Sequence, residues 1–219
     1  MKFYGINGSP RKNKNTATLI QSALDGVKSK QGNQPVETEM IHLYDLTYKP
    51  CMSCFQCKTL EGKSYGRCAL KDPLTPIMEK LAQADGLIFG SPIYFGGITA
   101  QLRAFFERFL FQYTVYDMQY SSLAPKKMPT AFIYTMNITE EMMARQQYGV
   151  GLGHIEFFVG NLFSPPQVMY AFNTYQFDDY SKYKIECFSE ADKAAHREKQ
   201  FPADMQNAFS MGEKMLTPS

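Results

Sequence analysis

Five short strand-like runs, separated by stretches whose apolar residues recur at helical spacing, constrain this chain more than any other feature. The runs fall at residues 2–6, 36–44, 86–90, 129–135 and 168–172. The second alternates apolar and polar residues as a half-covered strand does, and the third, at 86–90, is continuously apolar. Residues 15–30 place Ala17, Leu19, Ile20, Ala23, Leu24 and Val27 on one helical face, with Asn15 as the expected N-cap. Residues 74–84 form a second helix. Residues 98–110 form a third, with Ile98, Leu102, Phe105, Phe106, Phe109 and Leu110 on one side. A largely helical stretch is expected at 139–163 and a helical tail at 190–219, which Pro202 should break or kink. Strand-helix alternation of this kind implies a parallel sheet covered on both faces, because each parallel crossover needs a helix. The expectation is an α/β fold in one domain over 1–219, with a long loop at 45–72.

Charge and cysteine usage narrow the function. The 23 basic residues nearly balance the 21 acidic ones, a net +2, which argues against a dedicated nucleic-acid surface. No apolar run approaches the roughly 20 residues of a membrane span, and the first residues lack the long apolar stretch of a signal peptide. Four of the 5 cysteines crowd into 51–68, unlike a secreted disulfide framework, so a cytoplasmic protein is expected. Cys187 is expected in the core.

Ligands of parallel α/β sheets bind beyond the carboxyl ends of the strands, where the strand order reverses. The first such loop reads Gly8-Ser9-Pro10-Arg11-Lys12-Asn13-Lys14-Asn15-Thr16-Ala17. A helix start offers unpaired N–H groups to an anion, and this one adds hydroxyls, amides and the Arg11 fork, which suits a phosphate. It matches neither G-x-x-x-x-G-K-[ST] nor G-x-G-x-x-G, so the standard nucleotide sites lose support. The glycines at 149, 151 and 153 sit inside a helical stretch and lack that spacing. The second loop, Ser91-Pro92-Ile93-Tyr94-Phe95-Gly96-Gly97, could lay a flat aromatic ligand against its aromatics, with the backbone brought close by glycine.

Together, Gly8-Ser9-Pro10-Arg11, Asn15-Thr16 and the run from Ser91 through Gly96, Thr99-Ala100, Leu102-Arg103 and Glu107-Arg108 resemble the NADPH-dependent FMN reductase family, which includes the iron-sulfur flavoproteins. Arg103 stands where that pattern usually has Lys. The resemblance implies a flavodoxin-like three-layer α/β/α sandwich, a five-stranded parallel sheet of order 2-1-3-4-5, and FMN at the switch point. It implies FMN phosphate contacts from Ser9, Arg11, Asn13, Asn15, Thr16 and Ala17. Pro92, Ile93, Tyr94, Phe95 and Gly96 would line the isoalloxazine, and Thr135, Met136 and Asn137 would sit at its pyrimidine end. The implied activity is an FMN-dependent oxidoreductase passing electrons from NAD(P)H, as co-substrate, to a second small-molecule acceptor such as a flavin or quinone. Hydride transfer needs no acid–base residue, so no catalytic dyad is assigned. An electron carrier and a flavin-free binding module are the competing classes.

Cys51, Cys54 and Cys57 stand at the three-residue steps of a bacterial ferredoxin run, with Cys68 as the fourth candidate ligand of a [4Fe–4S] cluster. The ten residues between Cys57 and Cys68 exceed the gap in iron-sulfur members. Spacing therefore favours reduced thiols without stoichiometric iron, with a cluster or a four-cysteine zinc site as alternatives. His42, His154 and His196 show no ligand spacing. Phe105, Phe106, Phe109, Phe111, Tyr113 and Tyr116 exceed what one helix face buries. Part of this set, with Tyr120, is expected at an interface in a homodimer or homotetramer.

Overall fold

The computed structural model describes residues 1–30, 32 and 34–216. Its strands are β1 (Lys2–Asn7), β2 (Glu37–His42), β3 (Gly86–Pro92), β4 (Thr130–Thr135) and β5 (Gln167–Ala171). They form one sheet of order β2-β1-β3-β4-β5, and every neighbouring pair is parallel. This is the flavodoxin-like arrangement. Its switch point lies between β1 and β3, where Asn7 is level with Gly90.

The helices are α1 (Asn15–Ser29), α2 (Leu74–Ala82), α3 (Ala100–Phe109), α4 (Glu140–Arg145), α5 (Tyr148–Leu162) and α6 (Glu190–Lys214). Two apolar clusters sandwich the sheet. On one face α1 and α6 bury Leu19, Ile20, Ala23, Leu24, Ala208 and Met211 against Phe3, Ile88 and Ile133. On the other, α2, α3 and α5 bury Met78, Phe105, Phe106, Phe109 and Val159 against Phe89 and Phe132. The parity of β3 explains the division. Ile88 points to one layer while Leu87 and Phe89 point to the other, so a continuously apolar strand serves two cores. Of the aromatic set beyond β3, Phe105, Phe106, Phe109 and Tyr113 are core, while Tyr116 and Tyr120 are exposed.

Three expectations are corrected and one is refined. Asn15 is the first helical residue rather than the cap; Lys14 occupies the cap position without a side-chain bond, because the Asn15 amide is drawn elsewhere. The stretch 139–163 is largely helical as expected, in two helices divided where Gln147 adopts a left-handed φ of 54°. Helix α6 runs through Pro202 without ending. The lost backbone bond is tolerated there because α1 braces the helix beyond the proline, with Ser22 Oγ donating to the Met205 carbonyl at 2.7 Å. Cys187 is exposed, since it lies in the surface connection that precedes α6.

Helices α1 and α6 approach backbone to backbone. A Cβ added at Gly212 would lie 1.8 Å from the Ala23 carbonyl oxygen, and one at Gly26 would lie 2.0 Å from that of Phe209. Only glycine permits that approach, and it fixes α6 where its N-terminal half reaches the loops beyond β1 and β4.

Candidate functional site

The register places the ends of β1, β3, β4 and β5 at one edge, with Pro92 level with Thr135 and Thr135 level with Ala171. Polar bonds then pin the loops together. The Gly8 N–H donates to Gly90 O at 2.8 Å, and Thr99 Oγ1 donates to Gly8 O at 2.7 Å. Ser91 Oγ accepts the Thr99 N–H at 3.1 Å, so the start of α3 is tied to both β1 and β3. Thr99 also caps α3. In the first loop, buried Asn7 accepts the Ser9 N–H at 2.9 Å through Oδ1, and its amide contacts His42 Nδ1 at 2.9 Å. Burial is the main force lowering the His42 pKa.

Ser9 Oγ accepts the Arg11 N–H at 3.1 Å, folding the phosphate-loop candidate back on itself. No side chain caps α1, so the N–H groups of Asn15, Thr16 and Ala17 open its first turn without helical acceptors. Asn13 is exposed, while Ser9, Asn15, Thr16 and Ala17 are buried. Several side chains expected at a phosphate are engaged within the protein. Arg11 Nη1 donates to the Gln176 carbonyl at 2.5 Å. Asn15 Nδ2 donates to Tyr175 O at 2.9 Å and its Oδ1 accepts from Arg197 Nη1 at 2.9 Å. The hydroxyls of Thr16 and Thr135 are 2.8 Å apart.

The second loop makes a four-residue turn. Tyr94 and Gly97 exchange backbone bonds at 2.8 and 3.1 Å, and both corner residues are left-handed, Phe95 at φ 51° and Gly96 at φ 78°. Pro92 is buried beneath it and Ile93 half-buried, while Tyr94 and Phe95 are exposed, Phe95 fully so. Tyr148, at the start of α5, packs over Gly96 closely enough that an added Cβ would meet its ring at 3.1 Å. In the third loop Met136 is buried, and the Asn137 carbonyl accepts from Lys193 Nζ at 2.9 Å. Asn137 Oδ1 is buried without a hydrogen-bond partner.

An uncapped helix start, an open aromatic turn and an orphaned amide oxygen at one sheet edge fit FMN. Tyr148, Lys193 and Arg197 also reach this edge, and sequence reasoning missed them. Their helices carry no loop motif, and only the glycine contact between α1 and α6 accounts for the arrival of Lys193 and Arg197.

The cysteine loop forms a second centre. Ser53 and Phe55, between the first three cysteines, are both left-handed at φ 54°, which curls the segment tightly. The long gap to Cys68 is coiled by backbone bonds from Gly62 N–H to Thr59 O, Tyr65 N–H to Gly62 O and Arg67 N–H to Ser64 O. The Gly66 N–H then donates to Cys57 O at 3.0 Å, returning the chain beside its start. Cys51, Cys54, Cys57 and Cys68 consequently line one small pocket, closed by Leu70, Arg108, Phe111 and Gln112. Burial pushes the Cys57 thiol pKa up, opposed by the neighbouring Lys58. Among the described residues, no three His, Cys, Asp or Glu side chains converge as ligands of a single metal ion. Four cysteines on one curled loop are nonetheless the donor set that an iron-sulfur cluster takes.

Comparison with known proteins agrees with this architecture. The profile of the NADPH-dependent FMN reductase family matches residues 1–147, and the chain belongs to that family. It is 41% identical over 108 residues to an iron-sulfur flavoprotein of Methanocaldococcus jannaschii, covering 49% of this chain and 51% of that protein. A Methanosarcina thermophila iron-sulfur flavoprotein is 35% identical over 108 residues, covering 49% and 52%. The match thus spans about half the length of these curated relatives. A solved NAD(P)H:quinone oxidoreductase from Methanothermobacter marburgensis shares the fold at TM-score 0.70 and 13% identity, covering 97% of this chain and 98% of its own. No helix among the described residues is long and apolar enough to cross a membrane.

Proposed function

We propose that this chain is an FMN-dependent oxidoreductase that moves electrons from NAD(P)H to a second small-molecule acceptor, such as a flavin or quinone. The observation that carries the reading is the joining of the loops after β1, β3 and β4 by Gly8, Thr99, Thr16 and Thr135 at the switch point. When bound, FMN supplies the hydride acceptor and the electron store. The chain's part is binding and orientation. The start of α1 holds the phosphate on N–H groups, aided by Ser9 and Asn13 and by the charge of Arg11. The turn from Tyr94 to Gly97 would support the ring from one side, leaving the other for a nicotinamide. Asn137, whose Oδ1 is unpaired, would offer that acceptor to an N–H of the ring. Anaerobic addition of NADPH or NADH to the FMN-loaded protein tests this. Rapid bleaching of the flavin absorbance supports the reductase; a flavin reduced only by a protein donor would replace it with a carrier.

A second reading concerns the cysteine loop. Its left-handed residues and the Cys57–Gly66 bond answer the objection raised by spacing, because the ten intervening residues are coiled locally. The iron-sulfur flavoprotein relatives weigh the same way. We infer that the four cysteines can take a [4Fe–4S] cluster as a one-electron relay between flavin and acceptor. Iron and labile-sulfide analysis of anaerobically purified protein decides between a cluster and free thiols. The chain as one domain, and its assembly with copies of itself, complete the reading.

A further inference from the structure

The cysteine pocket contains a buried cation with one donor left over. Arg108, on α3, has a side chain that is 0% exposed and lines the pocket with all four cysteines. Its Nη1 donates to Asp72 Oδ2 at 2.5 Å and to Lys49 O at 3.3 Å, and its Nη2 donates to Leu70 O at 3.5 Å. The remaining donor, Nε, is buried with no hydrogen-bond partner. A buried guanidinium is tolerated only when its donors are satisfied and its charge is matched, so an idle donor marks a missing acceptor. The Asp72 carboxylate is itself 18% exposed, and Glu107, which lines the pocket, lies 3.6 Å from Arg103. Neither is the partner of Nε.

Cys68 lines the same pocket as the guanidinium. It is held there because its own N–H donates to Gln112 Oε1 at 2.9 Å, and Gln112 lies one turn beyond Arg108. A second cation is placed nearby. Lys58 Nζ donates to the carbonyls of Phe111 and Thr114, lies 4.5 Å from the Phe111 ring centroid, and acts on Cys57 and Cys51 as a charge. Neutral thiols add nothing to the counter-charge that Asp72 gives the Arg108 guanidinium. An anionic body gripped by thiolates adds to it.

We propose that Arg108 is a positioning residue for an iron-sulfur cluster on Cys51, Cys54, Cys57 and Cys68. Its Nε–H donates to a sulfur of that cluster, and its charge favours the reduced form. This rests on the second reading above. One-electron reduction adds one negative charge to a group already made anionic by its four thiolates. A buried cation in contact with it offsets that charge, and hydrogen bonds to sulfur act in the same direction. Asp72 works against it by neutralising part of the guanidinium.

The two residues therefore have opposite expected effects, which a purely structural pin between α3 and the end of the cysteine loop would not produce. The test is a redox titration of the anaerobically reconstituted full chain, following the reduced cluster by its electron paramagnetic resonance, with iron and sulfide measured on every sample. Arg108→Met should shift the midpoint potential downward. Arg108→Lys, which keeps the charge but lacks the Nε donor, should shift it downward by less. Asp72→Asn should shift it upward. Should Arg108→Met fail to fold, the other two variants still carry opposite signs. Fully loaded Arg108→Lys and Asp72→Asn proteins with unmoved potentials, or with potentials moved the same way, would overturn the role of Arg108 while leaving the cluster in place. A wild-type protein that takes up no iron or sulfide would remove the cluster reading, and this role with it.

Discussion

Thr16 Oγ1, in the first turn of α1, lies 2.8 Å from Thr135 Oγ1 at the end of β4, and both residues are buried. One hydroxyl donates and the other accepts, so the bond ties the helix start to the third loop. The Thr16 side chain thus positions the helix while its backbone N–H stays available to an anion. Replacing either residue with Val leaves the other hydroxyl buried and unpaired, and unfolding free energy should fall by about 1–3 kcal/mol. The double variant should lose less than the sum of the two singles. Urea denaturation of the four proteins measures the coupling, and strict additivity would show that the pair does not act as one.

The loop around Gln176 and Asp178 engages the two cations nearest the proposed phosphate site. Arg11 donates to the Gln176 carbonyl, and Lys14 is paired with the Asp178 carboxylate. Arg11→Ala should weaken FMN binding by about 1.5–3 kcal/mol, the scale of a charged hydrogen bond. Asp178→Asn should tighten it, since a negative charge facing the phosphate is removed and Lys14 is released. Fluorescence titrations of apoprotein with FMN at low salt read both signs. Asp178→Asn binding no tighter than wild type would place Lys14 outside the phosphate's reach.

How far the sequence reveals this site depends on the range of the interactions involved. The loops after β1 and β3 were legible because each motif is contiguous: a strand end, a turn and a helix start within a few residues. The sheet order followed from the family resemblance once the alternation of elements was read. Asn15 misled because helix-cap chemistry is local, whereas its amide is claimed by Tyr175 and by Arg197, 182 positions away. Lys193 and Arg197 were invisible for the same reason. They lie on an ordinary polar face until Gly26 and Gly212 let α6 sit on α1. The cysteine spacing is a different case. A gap measured in residues says little about separation when turns within it coil the chain back to Cys57.

Lys193 supplies a pH test. Its ammonium is buried, with Nζ bonded to Asn173 Oδ1 at 2.7 Å and to the Asn137 carbonyl at 2.9 Å, and desolvation pulls its pKa down to about 8. The unfolded chain keeps this lysine protonated to a pKa of about 10.4. Between the two values the unfolded state binds more protons, so the contribution of Lys193 to stability rises with pH across that window. Below pH 8 the cost of burying the charge is fully present. Wild type should therefore gain stability relative to Lys193→Met as pH is raised from 8 to 10. Chemical denaturation of both proteins at several pH values measures the difference, and a pH-independent gap would mean that Lys193 titrates normally.

Gly212→Ala tests whether backbone contact between α1 and α6 organises the site. With only 1.8 Å to the Ala23 carbonyl oxygen, the added methyl must push the helices apart. A loss of at least about 1–3 kcal/mol is expected, the range for overpacking. Because Arg197 and Lys193 ride on α6, FMN affinity should fall with stability. Gly32→Ala is a poor control because Gly32 has a left-handed φ of 52°; Gly153→Ala is better, since an added Cβ there meets nothing within 4 Å. Thermal unfolding and FMN titration of Gly212→Ala and Gly153→Ala separate the packing effect from a change in helix propensity. Equal behaviour of the two would dismiss the contact as the organiser.

Helix α5 is apolar on both sides. Leu152, Ile155, Val159 and Leu162 face the sheet, while Val150, Phe157 and Phe158 are 63%, 63% and 52% exposed. A helix apolar all round needs a second surface to cover it, and homo-oligomerisation supplies one without another gene product. The outward rings contact each other edge to face at 5.6 Å between centroids, forming a compact ridge that a two-fold copy can cover reciprocally. Light scattering during gel filtration should give a mass that is a multiple of 25.0 kDa. Phe157→Glu with Phe158→Glu should lower that mass, because burying two carboxylates between subunits without partners is costly. Monomeric wild type would show that α5 is not a self-association face. An oligomer unaffected by the double substitution would place the interface elsewhere, with the exposed Tyr116 and Tyr120 as the next residues to replace.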